Sequence, residues 1–142
     1  GNPRVVRGTV DIGAYEFQGS GSVISYAWLQ QYGLPTDGSA DYADPDHDGH
    51  NNWQEWRCQT DPTNALSVLR LLSASPAGTN VTVRWASVAG VTYFLERSTN
   101  LSARPPFTVL APNLPGQPGT TSFTDTNASS LTPVFYRVGV GN

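Results

Sequence analysis

The sequence lacks several features that would point to particular classes of protein. It contains no lysine, and its eight basic residues are all arginines, scattered from Arg4 to Arg137 without forming a patch. The charge distribution therefore gives no indication of nucleic-acid binding. No stretch of about 18 apolar residues occurs, so no membrane span is predicted. The single cysteine, Cys58, cannot form an internal disulfide, so cysteine usage does not indicate a compartment.

Charged residues are also few, and the acidic ones are concentrated in one part of the chain. Only 13% of the residues are charged and 38% are hydrophobic, whereas there are 14 glycines and 11 prolines. That composition is typical of short strands joined by tight turns. Of the eleven acidic residues, seven lie in one segment: Asp37, Asp41, Asp44, Asp46, Asp48, Glu55 and Asp61. Such crowding favours a bound cation.

Changes in pattern divide the chain into three predicted segments. In residues 1–22, alternating apolar positions predict one or two short strands, and a Gly-Ser run predicts a linker. In residues 23–66, apolar side chains at three- and four-residue steps predict two short helices on either side of the acidic loop. Residues 67–142 are predicted to form a separate β-domain. Because the chain begins Gly-Asn-Pro-Arg, without an initiator methionine or signal peptide, we expect a piece of a longer precursor.

The last segment alternates apolar and polar residues in short runs separated by turn-forming residues. The predicted strands cover residues 68–73, 81–87, 91–98, 107–110, 120–124 and 134–140. Short strands with no helix between them predict antiparallel sheets packed face to face. The predicted fold class is therefore mainly β, an antiparallel β-sandwich of the fibronectin-III or Ig-like type preceded by a short helix–loop–helix module.

The acidic loop fits the twelve-residue pattern of calcium-binding loops without a gap. Carboxylates two residues apart can turn toward one point, and Gly49 permits the sharp bend that this requires. An all-oxygen shell suits a hard cation, and its flexibility favours calcium over magnesium. The predicted ligands of one Ca²⁺ are Asp44, Asp46, Asp48, His50 by its backbone carbonyl, Asn52 and Glu55.

Other interpretations of the same residues remain open at this stage. The segment could be a solvated acidic turn whose spacing is accidental, although carboxylates that converge without a cation would repel one another. Asp37, Asp41 and Asp61 could bind a second ion, but they suit helix and turn caps better. His47 and His50 could bind a transition metal. The hard oxygen donors around them argue against such a site.

The loop and its flanks, Tyr-Gly-Leu-Pro before it and Asn-Asn-Trp-Gln-Glu-Trp after it, resemble dockerin-like or thrombospondin-type-3-like calcium modules of large secreted bacterial proteins. The opening Val-Asp-Ile-Gly-Ala-Tyr-Glu-Phe resembles the closing coil of parallel β-helix proteins. The runs from Tyr93 and from Phe135 are similar to a fibronectin-III-like C-terminal sandwich. The resemblance implies the same six calcium ligands and a secreted or cell-surface location. Cohesin-binding dockerins have two such loops and this chain has one, so we expect a solitary structural site.

Three functions are compatible with these observations. The first is a noncatalytic accessory region, in which calcium stiffens the joint before the sandwich and the sandwich presents whatever precedes it. The second is a carbohydrate-binding module that would stack sugar rings on exposed aromatic side chains, the candidates being Trp53, Trp85, Tyr93 and Tyr136. The third is a small calcium-dependent hydrolase, for which the sequence contains no catalytic motif. We therefore predict no catalytic residue, and we expect Cys58 to be a buried helix residue rather than a nucleophile.

Overall fold

A computed structural model describes residues 5–6, 9–10, 21–126 and 128–141 of the chain. These residues form two helices and eight strands. The elements are β1 (Val5–Val6), β2 (Thr9–Val10), α1 (Tyr26–Gln31), α2 (Asn52–Cys58), β3 (Leu71–Ala77), β4 (Asn80–Ser87), β5 (Thr92–Ser98), β6 (Thr108–Pro115), β7 (Gly119–Asp125) and β8 (Phe135–Val140). A short 3-10 turn, Ala128–Ser130, precedes β8.

The protein is mainly β, with two antiparallel three-stranded sheets, as the strand pattern predicts. One sheet has the order β3-β4-β7 and the other the order β6-β5-β8. The main hydrophobic core joins residues from both sheets, with Val83 and Trp85 of β4 and Tyr93 and Leu95 of β5 almost fully buried. These residues alternate along their strands because successive side chains point to opposite faces of a sheet. Two sheets that share one core are consistent with a β-sandwich.

All six predicted strands of the β-domain exist, four of them within one residue of the predicted bounds at each end, and two differ by more. β3 begins three residues later than predicted and continues through Pro76 and Ala77, which the sequence indicates as a turn. Proline is tolerated there because β3 is an edge strand, paired only with β4. β6 continues to Pro115 instead of ending at residue 110, and it too is an edge strand. Edge strands bury less of their surface, so their apolar pattern is a weaker guide to where they end.

The residues before the β-domain contain a short ribbon and both helices. β1 pairs with β2 antiparallel, while the other strand and linker positions predicted in residues 1–20 lie outside the described residues. Within the described ranges no helix is long and apolar enough to cross a membrane. A small second core forms around α1 from Ile24, Trp28 and Leu29, and Trp56 of α2 packs against it. The spacing of the apolar side chains predicts the two helices, whereas the contact between them is a finding of the structure.

A partly buried ion pair links the two sheets of the β-domain. Arg97 of β5 donates two hydrogen bonds to the carboxylate of Asp125 in β7, at 2.9 and 3.0 Å, and Asp125 is only 3% exposed. The hydroxyl of Tyr136 in β8 donates to the same carboxylate at 2.9 Å. From the sequence, Arg97 and Arg137 are expected to pair with Glu96 or Asp125 on the surface of the sandwich. Both arginines form such pairs, Arg137 with Glu96, but Asp125 is buried and not at the surface.

Alkaline pH should weaken the β-domain through Tyr136. Burial, and then the hydrogen bond and charge of Asp125, raise the pKa of Tyr136 to about 12. A tyrosine in an unfolded chain has a pKa near 10. The stability from this hydroxyl is therefore fully present below pH 10 and lost as pH rises toward 12. We expect the stability difference between wild type and Tyr136→Phe to shrink between pH 9 and pH 11 in urea denaturation. A constant difference over that range would contradict the assignment.

Candidate metal centre

The acidic loop folds on itself through hydrogen bonds from its backbone to its own carboxylates. Asp44 accepts from the amide of Asp48 at 3.3 Å and from the amide of Gly49 at 3.1 Å. Asp48 accepts from the amide of His50 at 2.7 Å. His47 and Gly49 both have positive φ, 61° and 95°. The bend at Gly49 that the sequence predicts is therefore confirmed, at a position that glycine adopts without strain.

Three carboxylates meet inside this bend. Asp44, Asp46 and Asp48 each place one oxygen so that all three oxygens lie within 4.8 Å of one another. All three residues are partly buried. Exposed acidic groups often lie together without an ion, so this cluster by itself assigns no ligand.

The first turns of α2 bring two further predicted ligands to the loop, and both are buried. Asn52 is 0% exposed and Glu55 is 1% exposed. The side-chain nitrogen of Asn52 donates to the carbonyl of Ala40 at 2.8 Å, which identifies the other side-chain atom as the oxygen. Thr60, just beyond the helix, donates its hydroxyl to Glu55 Oε1 at 3.4 Å. One oxygen of each residue is thus left available.

Four buried oxygens of the site have no hydrogen-bond partner among the described residues. They belong to four of the six predicted ligands: Asp46 Oδ2, Asp48 Oδ2, Asn52 Oδ1 and Glu55 Oε2. A buried acceptor left unsatisfied costs about 1–3 kcal/mol, and a charged one costs more. Native proteins contain few such groups, and a cation is one of the partners that satisfies them.

Neighbouring negative charges raise the pKa values of two carboxylates of the site. Burial, and then the charges of Asp46 and Asp48, raise the pKa of Glu55 to about 7. Burial and the neighbouring Asp48 also raise the pKa of Asp46. The charges of Asp46 and Asp48 therefore disfavour the ionised form of Glu55, and the charge of Asp48 disfavours that of Asp46. A divalent cation among them would reverse that effect, because an opposite charge favours the ionised form.

The start of α2 is fixed by a capping box that the sequence analysis missed. Asn51 accepts from the amide of Gln54 at 3.0 Å, and the side chain of Gln54 accepts from the amide of Asn51 at 2.8 Å. This reciprocal pair satisfies two amides that have no partner within the helix. Asn followed three residues later by Gln is the signal that could have identified it. It orients the first turn, which carries Asn52 and Glu55.

The three remaining acids of the segment act as caps and tethers. Asp37 and Asp61 each accept hydrogen bonds from the amide and hydroxyl of the residue two positions later. Asp41 is buried and accepts from the hydroxyl of Ser22 at 2.6 Å and from the amide of Val23 at 2.8 Å. Within the described part of the chain, none of them joins the cluster of the loop. A second ion at these residues therefore has no geometric support.

The two histidines lie in the loop without forming a site of their own. His47 is exposed, and the ring of His50 lies beside Asp48, with Nδ1 3.7 Å from Asp48 Oδ1. No histidine or cysteine joins the group of possible metal ligands in the described residues. The backbone carbonyl of His50 remains a predicted ligand.

The aromatic side chains considered for sugar stacking are mostly inside the protein. Trp85 and Tyr93 are 0% and 1% exposed and contact each other edge to face in the core. Tyr136 is partly buried and donates to Asp125. Trp53 alone among the four is exposed, at 37%. Stacking on the β-domain through Trp85 or Tyr93 would require those rings to leave the core.

Outside the calcium loop, the groups that a hydrolase could use are two glutamates, Glu16 and Glu96, and one cysteine. Glu96 is paired with Arg137, and Glu16 lies outside the described residues. Cys58 is buried, and that burial raises its thiol pKa to about 11. The expectation that Cys58 is a buried helix residue is therefore confirmed, and a thiol with such a pKa is protonated at neutral pH.

No protein-family model, curated protein or solved structure matches the chain. The dockerin-like, β-helix and fibronectin-III-like resemblances of the sequence thus remain predictions.

Proposed function

We propose that residues 44–55 bind one calcium ion, in a noncatalytic accessory region of a secreted or cell-surface bacterial protein. The observation that carries the proposal is the set of buried oxygens without partners among the described residues, at Asp46, Asp48, Asn52 and Glu55. Glu55 does not join the group of three aspartates whose oxygens lie within 4.8 Å of one another, but it is close enough for their charges to raise its pKa. Each of these buried oxygens belongs to a position that the calcium-loop pattern assigns as a ligand. The ion would supply the partner that these acceptors otherwise lack among the described residues.

The chemistry of the donors supports calcium rather than another metal. The donor set consists of carboxylate and amide oxygens, and hard oxygen donors favour Ca²⁺ or Mg²⁺ over transition metals. Glu55 could contribute both of its oxygens, which would give a shell of more than six donors. Calcium accepts six to eight oxygens, whereas magnesium requires a near-octahedral shell of six.

The surrounding fold suits a structural role. The order α1, acidic loop, α2 supports a single dockerin-like helix–loop–helix module, and the strand orders β3-β4-β7 and β6-β5-β8 support a fibronectin-III-like sandwich. One site with no paired second loop in the described residues is better suited to holding a structure than to sensing a calcium signal. The ion would stabilise the module, and the module would present the sandwich.

Calcium binding can be tested directly by titration calorimetry on protein stripped with a chelator. Calcium at one hundred times its dissociation constant should raise the free energy of unfolding by about 2.7 kcal/mol, which corresponds to a melting temperature several degrees higher. Asp48→Asn should weaken binding by about tenfold or more, about 1.4 kcal/mol, because it removes a ligand charge.

Asp37→Asn is the matched control, because it also removes one carboxylate charge from the same segment. Asp37 caps a turn outside the cluster, so its replacement should leave calcium affinity nearly unchanged. Equal loss of affinity in both variants would mean that the segment attracts calcium only by its overall charge. Absence of binding heat together with unchanged melting would overturn the proposal.

A further inference from the structure

Successive residues at the end of α2 contact three different parts of the protein. Glu55 belongs to the proposed calcium site. Trp56 packs against the small core around α1. Arg57 donates from Nη2 to the backbone carbonyl of Gly141, directly after β8, at 3.2 Å. One short helix therefore links the calcium loop to the end of the β-domain.

Cys58, the last residue of α2, is buried and lies near the β-domain. Its side chain belongs to neither hydrophobic core. The thiol is close enough to Tyr93 of β5 to contribute to the raised pKa of that tyrosine, whose largest cause is burial. Beyond the helix, Val68 is buried and Leu69 packs against the core of the β-domain. We call this region, where Arg57 bonds to Gly141 and Cys58 lies near Tyr93, the joint.

A cleft borders the joint. It has a volume of about 150 Å³, is partly open at the surface, and is lined by Thr60, Ser67 and Val68 and by Ser87 and Tyr93. The joint is therefore bordered by open space as well as by packed side chains. Thr60, which donates to Glu55, also lines this cleft. The proposed calcium site thus shares Thr60 with this cleft and shares α2 with the joint.

We propose that calcium binding and closure of the joint are coupled, so that the ion holds α2 against the β-domain and the closed joint in turn tightens the calcium site. The inference rests on the proposed calcium site. Its physical basis is the length of α2, which has seven residues. A helix this short is not stable alone in water and depends on contacts at both ends. The calcium shell would fix its first turns, and the joint fixes its last turn.

Coupling of this kind is reciprocal and can therefore be measured from both sides. If the open joint binds calcium more weakly by a given factor, saturating calcium reduces opening of the joint by the same factor. Coupled sites typically differ by about 5-fold to 150-fold. The only cysteine of the chain lies at the joint, and its accessibility therefore reports on opening.

The first measurement is the rate at which Cys58 of the full chain reacts with a thiol reagent, at fixed pH, with calcium and with chelator. We expect calcium to slow the reaction by at least about fivefold. The charge of the ion alone would favour the thiolate and speed the reaction. The control is Ser98→Cys in a Cys58→Ser background. Ser98 is buried at the opposite end of β5 from the joint, so this cysteine should react at nearly the same rate in both conditions.

The second measurement is the calcium affinity of two variants at position 58, which is not a proposed ligand. Cys58→Gln adds a longer polar side chain that should force the joint open, whereas Cys58→Ser keeps the size of the residue. We expect calcium affinity to fall in Cys58→Gln by about the factor seen in the labelling rates and to stay within about twofold in Cys58→Ser. If Cys58→Gln does not fold, the wild-type labelling rates still decide.

The outcomes separate this inference from the calcium proposal. Calcium binding by wild-type protein with no change in Cys58 reactivity would refute coupling and leave the calcium site intact. So would unchanged affinity in a folded Cys58→Gln protein. If wild-type protein does not bind calcium, the proposal of a calcium site is itself refuted. Slower Cys58 labelling with calcium, a calcium-independent Ser98→Cys rate and weaker binding by Cys58→Gln would together support coupling.

Discussion

Replacing Glu55 with glutamine is expected to change stability in opposite directions with and without calcium. In calcium-free protein at pH 8, the substitution removes a buried negative charge that Asp46 and Asp48 repel, so the variant should be more stable than wild type. With calcium at 1,000 times the wild-type dissociation constant, wild type should gain about 4.1 kcal/mol that the variant lacks. The order of stability should therefore reverse.

Denaturant unfolding in chelator and in calcium measures both differences, and Glu96→Gln is the matched control. Glu96 lies in β5, far along the chain from the loop, and is paired with the exposed Arg137. Its replacement should shift stability by the same amount in both conditions. If Glu55→Gln also shifted stability equally in both conditions, Glu55 would be a structural carboxylate and not a calcium ligand.

Replacing Trp85 with alanine should produce the largest loss of stability in the β-domain. Trp85 is 0% exposed at the centre of β4 and contacts Tyr93 of the facing sheet, with ring centroids 6.1 Å apart. Removing a buried tryptophan side chain costs about 3–5 kcal/mol, because apolar contacts are lost and a cavity remains. Urea unfolding at saturating calcium should show this loss.

Two further substitutions show whether packing is the cause. Trp85→Phe keeps an aromatic ring beside Tyr93 and removes an indole N–H that has no partner among the described residues. It should cost less than about half as much as the alanine substitution. Trp53→Ala removes an exposed ring and should cost no more than about 1 kcal/mol. Equal losses at positions 53 and 85 would contradict the assignment of Trp85 to the core.

Much of the fold could be predicted from the sequence because its signals are local. Alternation in β4 and β5 predicts which side chains are buried, and Trp85, Tyr93 and Leu95 are indeed buried. The positions of the helices follow from the spacing of apolar residues such as Trp28 and Trp56. The bounds of β3 and β6 could not be predicted well, because a strand at a sheet edge ends where its neighbour stops pairing.

The candidate site was also only partly predictable from the sequence. The spacing of the aspartates and the position of Gly49 predict a loop that turns its carboxylates inward, and these residues lie together. The capping box of Asn51 and Gln54 was also readable from spacing. The burial of Asn52 and Glu55 could not be predicted from the sequence. Their hydrogen-bond partners, Ala40 and Thr60, lie outside the loop.

The sequence by itself determined the acidic loop, the helical and strand segments and the mainly β class, since these depend on residues close together in the chain. The tertiary structure decided which acids gather and which cap turns, that Asp125 is paired inside the protein, and that α2 meets the β-domain near Arg57 and Cys58. The reason is that burial removes water as an alternative partner for a polar group. Which groups lose that partner depends on segments far apart in sequence, and only the folded chain brings them together.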